Sequence, residues 1–442
     1  MSPAPSAARS DLQQALHAHL RFLASDAMNG RGSGTRDEWI TATYLGAQLH
    51  RFGLEPLGDD GWFVQQVDVQ RFESSGTTTL QVGDREMTHG SDMLVRSIVT
   101  SRVEGRLVQY TDRASIDPGS VVVLPDEMPT GDLGTLARAA ILLQRETTAT
   151  RDRWAASAER PVPVTARVMG VPAGAPAGPM WIVLDAASHD AAKSAPAGTP
   201  VTFTATVTPA ERTRTWNTIG RLPGREAAGA SEVVVLSAHL DHVGAREAPA
   251  DNPGADVIFN GADDDASGVA AVLELTRALA DGPTPRRSVV VAFFGSEESG
   301  GFGSRYFVDR PVVPLTDIVA NLQFEMIGRP DPKVAPGTLW LTGYERSTLG
   351  PGLAGHGARL VQDPHPEQRF FERSDNIQFA RRGVVAHTVS SYGLHREYHQ
   401  ASDELRLINL SHMTDAVASL VAPLRWLVDG DERPVWREGL QP

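Results

Sequence analysis

The stretch Arg286–Gly303, RRSVVVAFFGSEESGGFG, carries the reading of the fold. From Ser288 to Phe294 the residues do not alternate between apolar and polar. A run of that length without alternation predicts a strand covered on both faces, as in parallel sheets held between helices. Two adjacent carboxylates, Glu297 and Glu298, follow its end. Open α/β sheets bind ligands beyond the carboxyl ends of their strands, so the pair falls where such a fold places its chemistry.

The same grammar extends to both sides. Glu232–Ala238 (EVVVLSA), Asp317–Phe324 (DIVANLQF), Thr338–Gly343 (TLWLTG) and Gly383–Val389 (GVVAHTV) read as further strands. Asp265–Ala280 carries Val269, Val272, Leu273, Thr276 and Leu279 at helical spacing, Phe302–Val308 predicts a short helix, and Ile408–Val428 a long one bent at Pro423. Leu12–Ala24 and Glu38–Phe52 predict N-terminal helices, the second stopped by Gly53. This alternation predicts an α/β class with a mainly parallel central sheet between helix layers. Short alternating runs between Trp62 and Val108 suggest β-structure.

The segment 101–205 differs, holding GSVVVLPD, LARAAILLQRE, VPVTARVMGV and MWIVLDAA between Pro/Gly/Ala stretches, with loops expected at 171–179 and 194–200. It reads as a smaller β-rich insert with one helix. The expected organisation is therefore 1–100 as the first part of the main domain, 101–205 as the insert, and 206–442 as the rest.

A chain of 442 residues can bury a sizeable core, and its formal charge of −13 excludes a protein built to displace counterions from nucleic acid. Cysteine is absent, so a metal must be held by His, Asp and Glu. No run of about 18 apolar residues occurs, so no membrane-spanning helix is expected. The start, MSPAPSAARSDLQQ, lacks the pattern of a secretory leader, which fits either a cytoplasmic protein or an exported one whose leader was removed.

Several segments deliver hard metal ligands at or after strand ends. SAHLDHVG gives His239 and Asp241, NGADDDASG gives Asp263, Asp264 and Asp265, NLQFEMIG gives Glu325, and HREYHQASD gives Tyr398 and His399. Taken singly, each has an ordinary explanation: an aspartate run before a helix caps free amides, and adjacent glutamates are usually solvated. Clusters after successive strands of one sheet are hard to obtain by solvation alone. Zinc accepts imidazole and carboxylate ligands, and paired zincs need a bridging carboxylate.

In their order, HLDH, NGADDDASGVAAVLEL, FFGSEESGGFGSRYF, NLQFEMIG and YHQASDEL resemble the co-catalytic di-zinc aminopeptidase family of metallopeptidases, M28. HLRFLASDAMNGRGSGT and HRFGLEPLGDDGWFVQQV look like the N-terminal segment of its bacterial members, and 101–205 like a divergent protease-associated insert. The resemblance implies two zinc ions per chain. His239 and Glu325 would hold one, Glu298 and His399 the other, and Asp264 would bridge them. It implies that Glu297 is the general base, that the Asp241 carboxylate orients the His239 imidazole, and that Tyr398 either donates to the oxyanion or simply packs beside the ligand. Glu325 stands where many members have Asp. Arg373, Ser374, Asp375, His395 and Arg396 match pocket-lining regions of the family.

The implied activity is aminopeptidase action on peptides. Three alternatives stay open: a carboxypeptidase for acidic C-terminal residues, served by Arg369, Arg373 and Arg396; a one-zinc glutaminyl cyclase; and a non-catalytic binding module of the same fold. Of partners, a peptide substrate is expected, nucleic acid and membrane are not, and oligomeric state is left open.

Overall fold

The computed structural model describes residues 5–442 except 112–115, 127–135, 137, 153, 159, 172–177 and 226–230. The chain divides into two compact units, one formed by Met1–Asp68 with Arg214–Pro442, the other by Val69–Thr213. Two long strands, Val64–Val82 and Pro200–Leu222, carry the chain out of the first unit and back, so this division falls inside strands.

In the first unit, α1 (Pro5–Leu23) and α2 (Arg36–Arg51) precede β1 (Val233–His239), α3 (Gly268–Ala280), β2 (Ser288–Phe294), α4 (Phe302–Asp309) and β3 (Ile318–Phe324). They are followed by β4 (Leu339–Leu341), β5 (Leu360–Gln362), β6 (Ala386–Ser390) and α5 (Leu410–Asp429), with Pro423 inside the last helix. β1 pairs in parallel with both β2 and β3, and β3 in parallel with β6. Antiparallel neighbours flank the parallel strands, β4 against β6 and Thr218–Leu222 against β2, and β5 pairs in parallel with β4 beyond them. The sheet is mixed and mostly parallel.

Every residue of β1, β2 and β3 is buried. Alternate side chains serve opposite faces. Val234, Leu236, Val289, Val291 and Phe293 join Leu16, Leu20, Leu45, Leu49, Val269, Leu273 and Leu420 in one core. Val233, Val235, Val290, Ala292 and Phe294 join Phe307, Phe379 and Ala386 in the other. With each buried aliphatic side chain contributing about 1.5–3 kcal/mol, this double coverage makes the strands rigid, and their ends become fixed platforms.

The second unit has its own apolar core, including Leu80, Leu107, Val121, Ile141, Ile182 and Phe203. Arg102–Gln109, Val121–Val123, Ile141–Arg145 and Met180–Leu184 pair in parallel in that order. The segment LARAAILLQRE supplies a strand, Ile141–Arg145, and the longest helix among the described residues of this unit is Ala186–Ser194. Most of the loop expected over 171–179 lies outside the described residues. No helix among the described residues is long and apolar enough to cross a membrane.

Candidate active site

Four of the first unit's strands converge on one place through the loops after them. β1 ends at His239, with Asp241 and His242 just beyond; β2 leads to Glu297 and Glu298; β3 leads directly to Glu325; β6 leads into the loop carrying Tyr398 and His399. The turn before α3, Ala262–Ser267, supplies the aspartates. Three departures into the left-handed region turn the chain here: Ser296 (φ 55), Met326 (φ 51) and His399 (φ 54). Such conformations cost a non-glycine residue of order 1 kcal/mol or more and persist where packing over-determines them.

Asp264 stands at the centre. Its Oδ1 lies 3.1 Å from His239 Nε2, and its Oδ2 lies 3.2 Å from His399 Nε2. One donor set is His239, Asp264 and Glu325, with ligand-type atoms all within 4.8 Å of one another. The other contains Asp264 and Glu298, whose Oε2 is 3.0 Å from His399 Nε2. His242, to which the sequence reading gave no role, joins this second set with Nδ1 2.8 Å from Glu298 Oε1. His239 Nε2, His242 Nδ1, Glu298 Oε1, Glu325 Oε2 and His399 Nε2 are all buried and meet no partner in hydrogen-bond geometry, the close contacts among them being those just given. Burying one such atom unsatisfied costs about 1–3 kcal/mol, so five around one carboxylate fit cation coordination and little else.

The neighbouring aspartates do different work. Asp263 Oδ1 accepts from the Gly328 amide (2.7 Å) and Oδ2 pairs with His395 Nε2 (3.0 Å). Asp265 accepts from the amides of Gly268, Met326 and His239. Asp403 accepts from the amides of Asp263 and Asp264, which fixes the turn from outside. These three carboxylates are scaffold, leaving Asp264 alone of the run to face both donor sets.

Asp241 corrects the sequence expectation at atomic detail. His239 Nδ1 is 3.2 Å from the Asp241 carbonyl oxygen and 3.8 Å from its carboxylate. The carbonyl is therefore the group placed to hold the imidazole tautomer. The carboxylate instead accepts from the Glu297 amide at 2.9 Å and the Ser33 hydroxyl at 2.5 Å. It positions the Glu297 backbone.

Burial, reinforced by the charges of Glu325, Asp375 and Glu298, pushes the Glu297 carboxyl well above its usual range, with His239 opposing. Burial also raises the Tyr398 phenol, helped by Asp264, Glu325 and Glu298, so its hydroxyl keeps its proton. The Tyr398 ring stacks on His399 with centroids 3.9 Å apart. Beside the site, Glu325, Trp340, Phe370, Arg373, Tyr392 and Tyr398 line a recess. Of the three arginines considered for a carboxylate-binding role, Arg373 lines it, whereas Arg369 pairs with Glu372 and Arg396 with Glu397. Of the other residues matched to the pocket, Ser374 lines the recess, Asp375 accepts from Ser304, and His395 pairs with Asp263.

Two more buried groups lay outside the sequence reading. Glu38 accepts from Thr215 Oγ1 and from the amides of Ser296 and Gly34. The Arg31 guanidinium donates to the carbonyls of Leu23, Leu240, Asn260 and Gly261, tying the N-terminal segment to the two loops that carry His242 and Asp264. Neither stands in a sequence pattern that distinguishes it from a solvated charge.

Comparison with known proteins gives a family match and a likeness of fold. Residues 217–423 match the model of peptidase family M28. The chain is 29% identical over 222 residues to leupeptin-inactivating enzyme 1 of Streptomyces exfoliatus, covering 46% of this chain and 47% of that one. It is 38% identical over 103 residues to the probable lipoprotein aminopeptidase LpqL of Mycobacterium tuberculosis, covering 23% and 18%. The matches thus span less than half the length of these curated relatives. Among solved structures, an aminopeptidase from Aneurinibacillus sp. superposes with TM-score 0.52 at 16% identity over 97% of this chain and 96% of that one. BSAP, a zinc aminopeptidase from Bacillus subtilis, gives 0.51 at 17% over 95% of each. At such identities the likeness is one of fold.

Proposed function

We propose, from the match of residues 217–423 to the model of peptidase family M28, that this chain is a di-zinc exopeptidase releasing N-terminal residues from peptides. The observation that carries the reading is Asp264, whose two oxygens face two separate sets of buried, otherwise unpartnered donors. His239, Asp264 and Glu325 would hold one ion, and Asp264, Glu298 and His399 the other. Zinc held by these residues would supply Lewis-acid chemistry, polarising a carbonyl and acidifying a water.

The protein's own groups do the rest. Glu297, held by its amide on Asp241, takes the proton of the attacking water and returns it to the departing amine. Burial raises that carboxyl above its usual range, so it holds a proton more readily than a solvated glutamate does. Tyr398 keeps its hydroxyl protonated and can donate to the oxygen on which charge develops. The surrounding carboxylates favour a substrate that presents a protonated α-amine.

The test is hydrolysis of aminoacyl chromogenic substrates by zinc-loaded protein, beside N-acetylated dipeptides. The expected result is cleavage of the free-amine substrates alone, abolished by a chelator and restored by zinc. Cleavage of the acetylated dipeptides instead favours a carboxypeptidase, for which Arg373 in the recess is the available cation. No hydrolysis of either sinks the proposal.

A further inference from the structure

Resting on the two-metal reading above, we infer that His242 is a fourth protein ligand of the ion held by Asp264, Glu298 and His399, so that the two metal positions are chemically unequal. His242 follows His239 by three residues and is fully buried, yet neither ring nitrogen meets a partner in hydrogen-bond geometry. Its Nδ1 lies 2.8 Å from Glu298 Oε1, itself unpartnered, and 3.8 Å from Asp264 Oδ2. His399 Nε2 approaches the other oxygen of Glu298 at 3.0 Å and Asp264 Oδ2 at 3.2 Å. Ligands about 2.0–2.2 Å from one zinc in tetrahedral array lie roughly 3.4 Å apart, and these separations scatter around that value.

The two imidazoles meet edge to face, with centroids 5.6 Å apart, so both can present a nitrogen to one point without their rings colliding. Gly261 makes room for this arrangement. It takes a left-handed conformation (φ 56), and a Cβ there would stand 2.6 Å from the His242 ring.

Four protein ligands fill a tetrahedral zinc, whereas three leave a position open. The ion on His242, Asp264, Glu298 and His399 is thus the closed, firmly held one. The ion on His239, Asp264 and Glu325 has the open coordination that water and substrate require. Calorimetric titration of metal-free protein with zinc should then resolve two steps. His242→Ala should weaken the tighter step by about 100-fold or more and leave the other within about 3-fold, since removal of a merely orienting partner costs only about 10–100-fold.

A crystal structure of the zinc-loaded wild-type protein separates ligation from orientation and does not depend on the variant folding. His242 Nδ1 is expected about 2.0–2.1 Å from zinc. Two zincs per chain with His242 bonded only to Glu298, or an unchanged tight step in His242→Ala, overturns this inference and leaves the two-metal reading standing. Fewer than two zincs in the wild type overturns the reading beneath it.

Discussion

Glu297 and Glu298 are neighbours in sequence and opposites in duty. Glu298 faces His242 and His399, while Glu297 is fixed by its amide to Asp241 and shares the charge of Glu325 and Asp375. Glu298→Ala should therefore lower the zinc content of the purified protein by one per chain. Glu297→Gln should retain both ions and reduce kcat by about 10²–10⁴-fold, as loss of a general base does. Elemental analysis beside steady-state kinetics checks both, and a Glu297→Gln variant that turns over normally removes that residue from the mechanism. The run Asp263–Asp265 shows what sequence holds at this scale. Three identical side chains are legible as a cluster, but which one faces the donor sets depends on backbone amides that approach from β1, from the residues after β3 and from Gly268. Family likeness singled out Asp264, and no spacing rule within the run could have. His242 was visible in HLDH, yet a histidine three residues after another on a strand end becomes informative only once the turn beyond β1 brings it to Glu298.

At the scale of elements, strand ends were the most legible feature and loop supports the least. An unbroken apolar run such as Ser288–Phe294 declares its own burial, and the structure returns those same bounds. LARAAILLQRE was ambiguous because a short apolar run fits a buried strand as well as a helix; two parallel neighbours, Val121–Val123 and Met180–Leu184, decide it. Arg31 had no legible signal, since a guanidinium satisfied by four backbone carbonyls leaves no charge pattern behind. Removing it strands those carbonyls, and Arg31→Met should destabilise the protein by about 3 kcal/mol or more. Denaturant unfolding measures this, and a loss below about 1 kcal/mol would show that water replaces the arginine.

For the molecule as a whole, stability should depend on pH through a histidine remote from the metal donors. His387, on β6, shares hydrogen bonds with Ser347 Oγ and the Thr342 carbonyl oxygen, each at 2.7 Å. Burial lowers it from 6.5 to about 4, with the hydrogen bond to Thr342 opposing. A folded value below the unfolded one means that the unfolded chain binds the extra proton. The contribution is then fully present above pH 6.5 and lost as pH falls toward 4, by up to about 3 kcal/mol. Melting temperatures from pH 8 to 4 should fall more steeply for the wild type than for His387→Gln, and parallel curves would refute the assignment.

The division of the first unit into two stretches of chain also has a consequence in time. Leu16, Leu20, Leu45 and Leu49 belong to the same core as Val234, Val269 and Leu420, but about 145 residues of the second unit are made between them. At ribosomal rates of about 5–20 residues per second, the N-terminal helices wait roughly 9–36 s for β1 to be synthesised. During that interval their apolar faces have no partner strand, while Val69–Thr213 has its full sequence and can fold at once. Synthesis thus runs against the order of assembly: the middle of the protein is finished first, and its beginning is among the last parts to find its place.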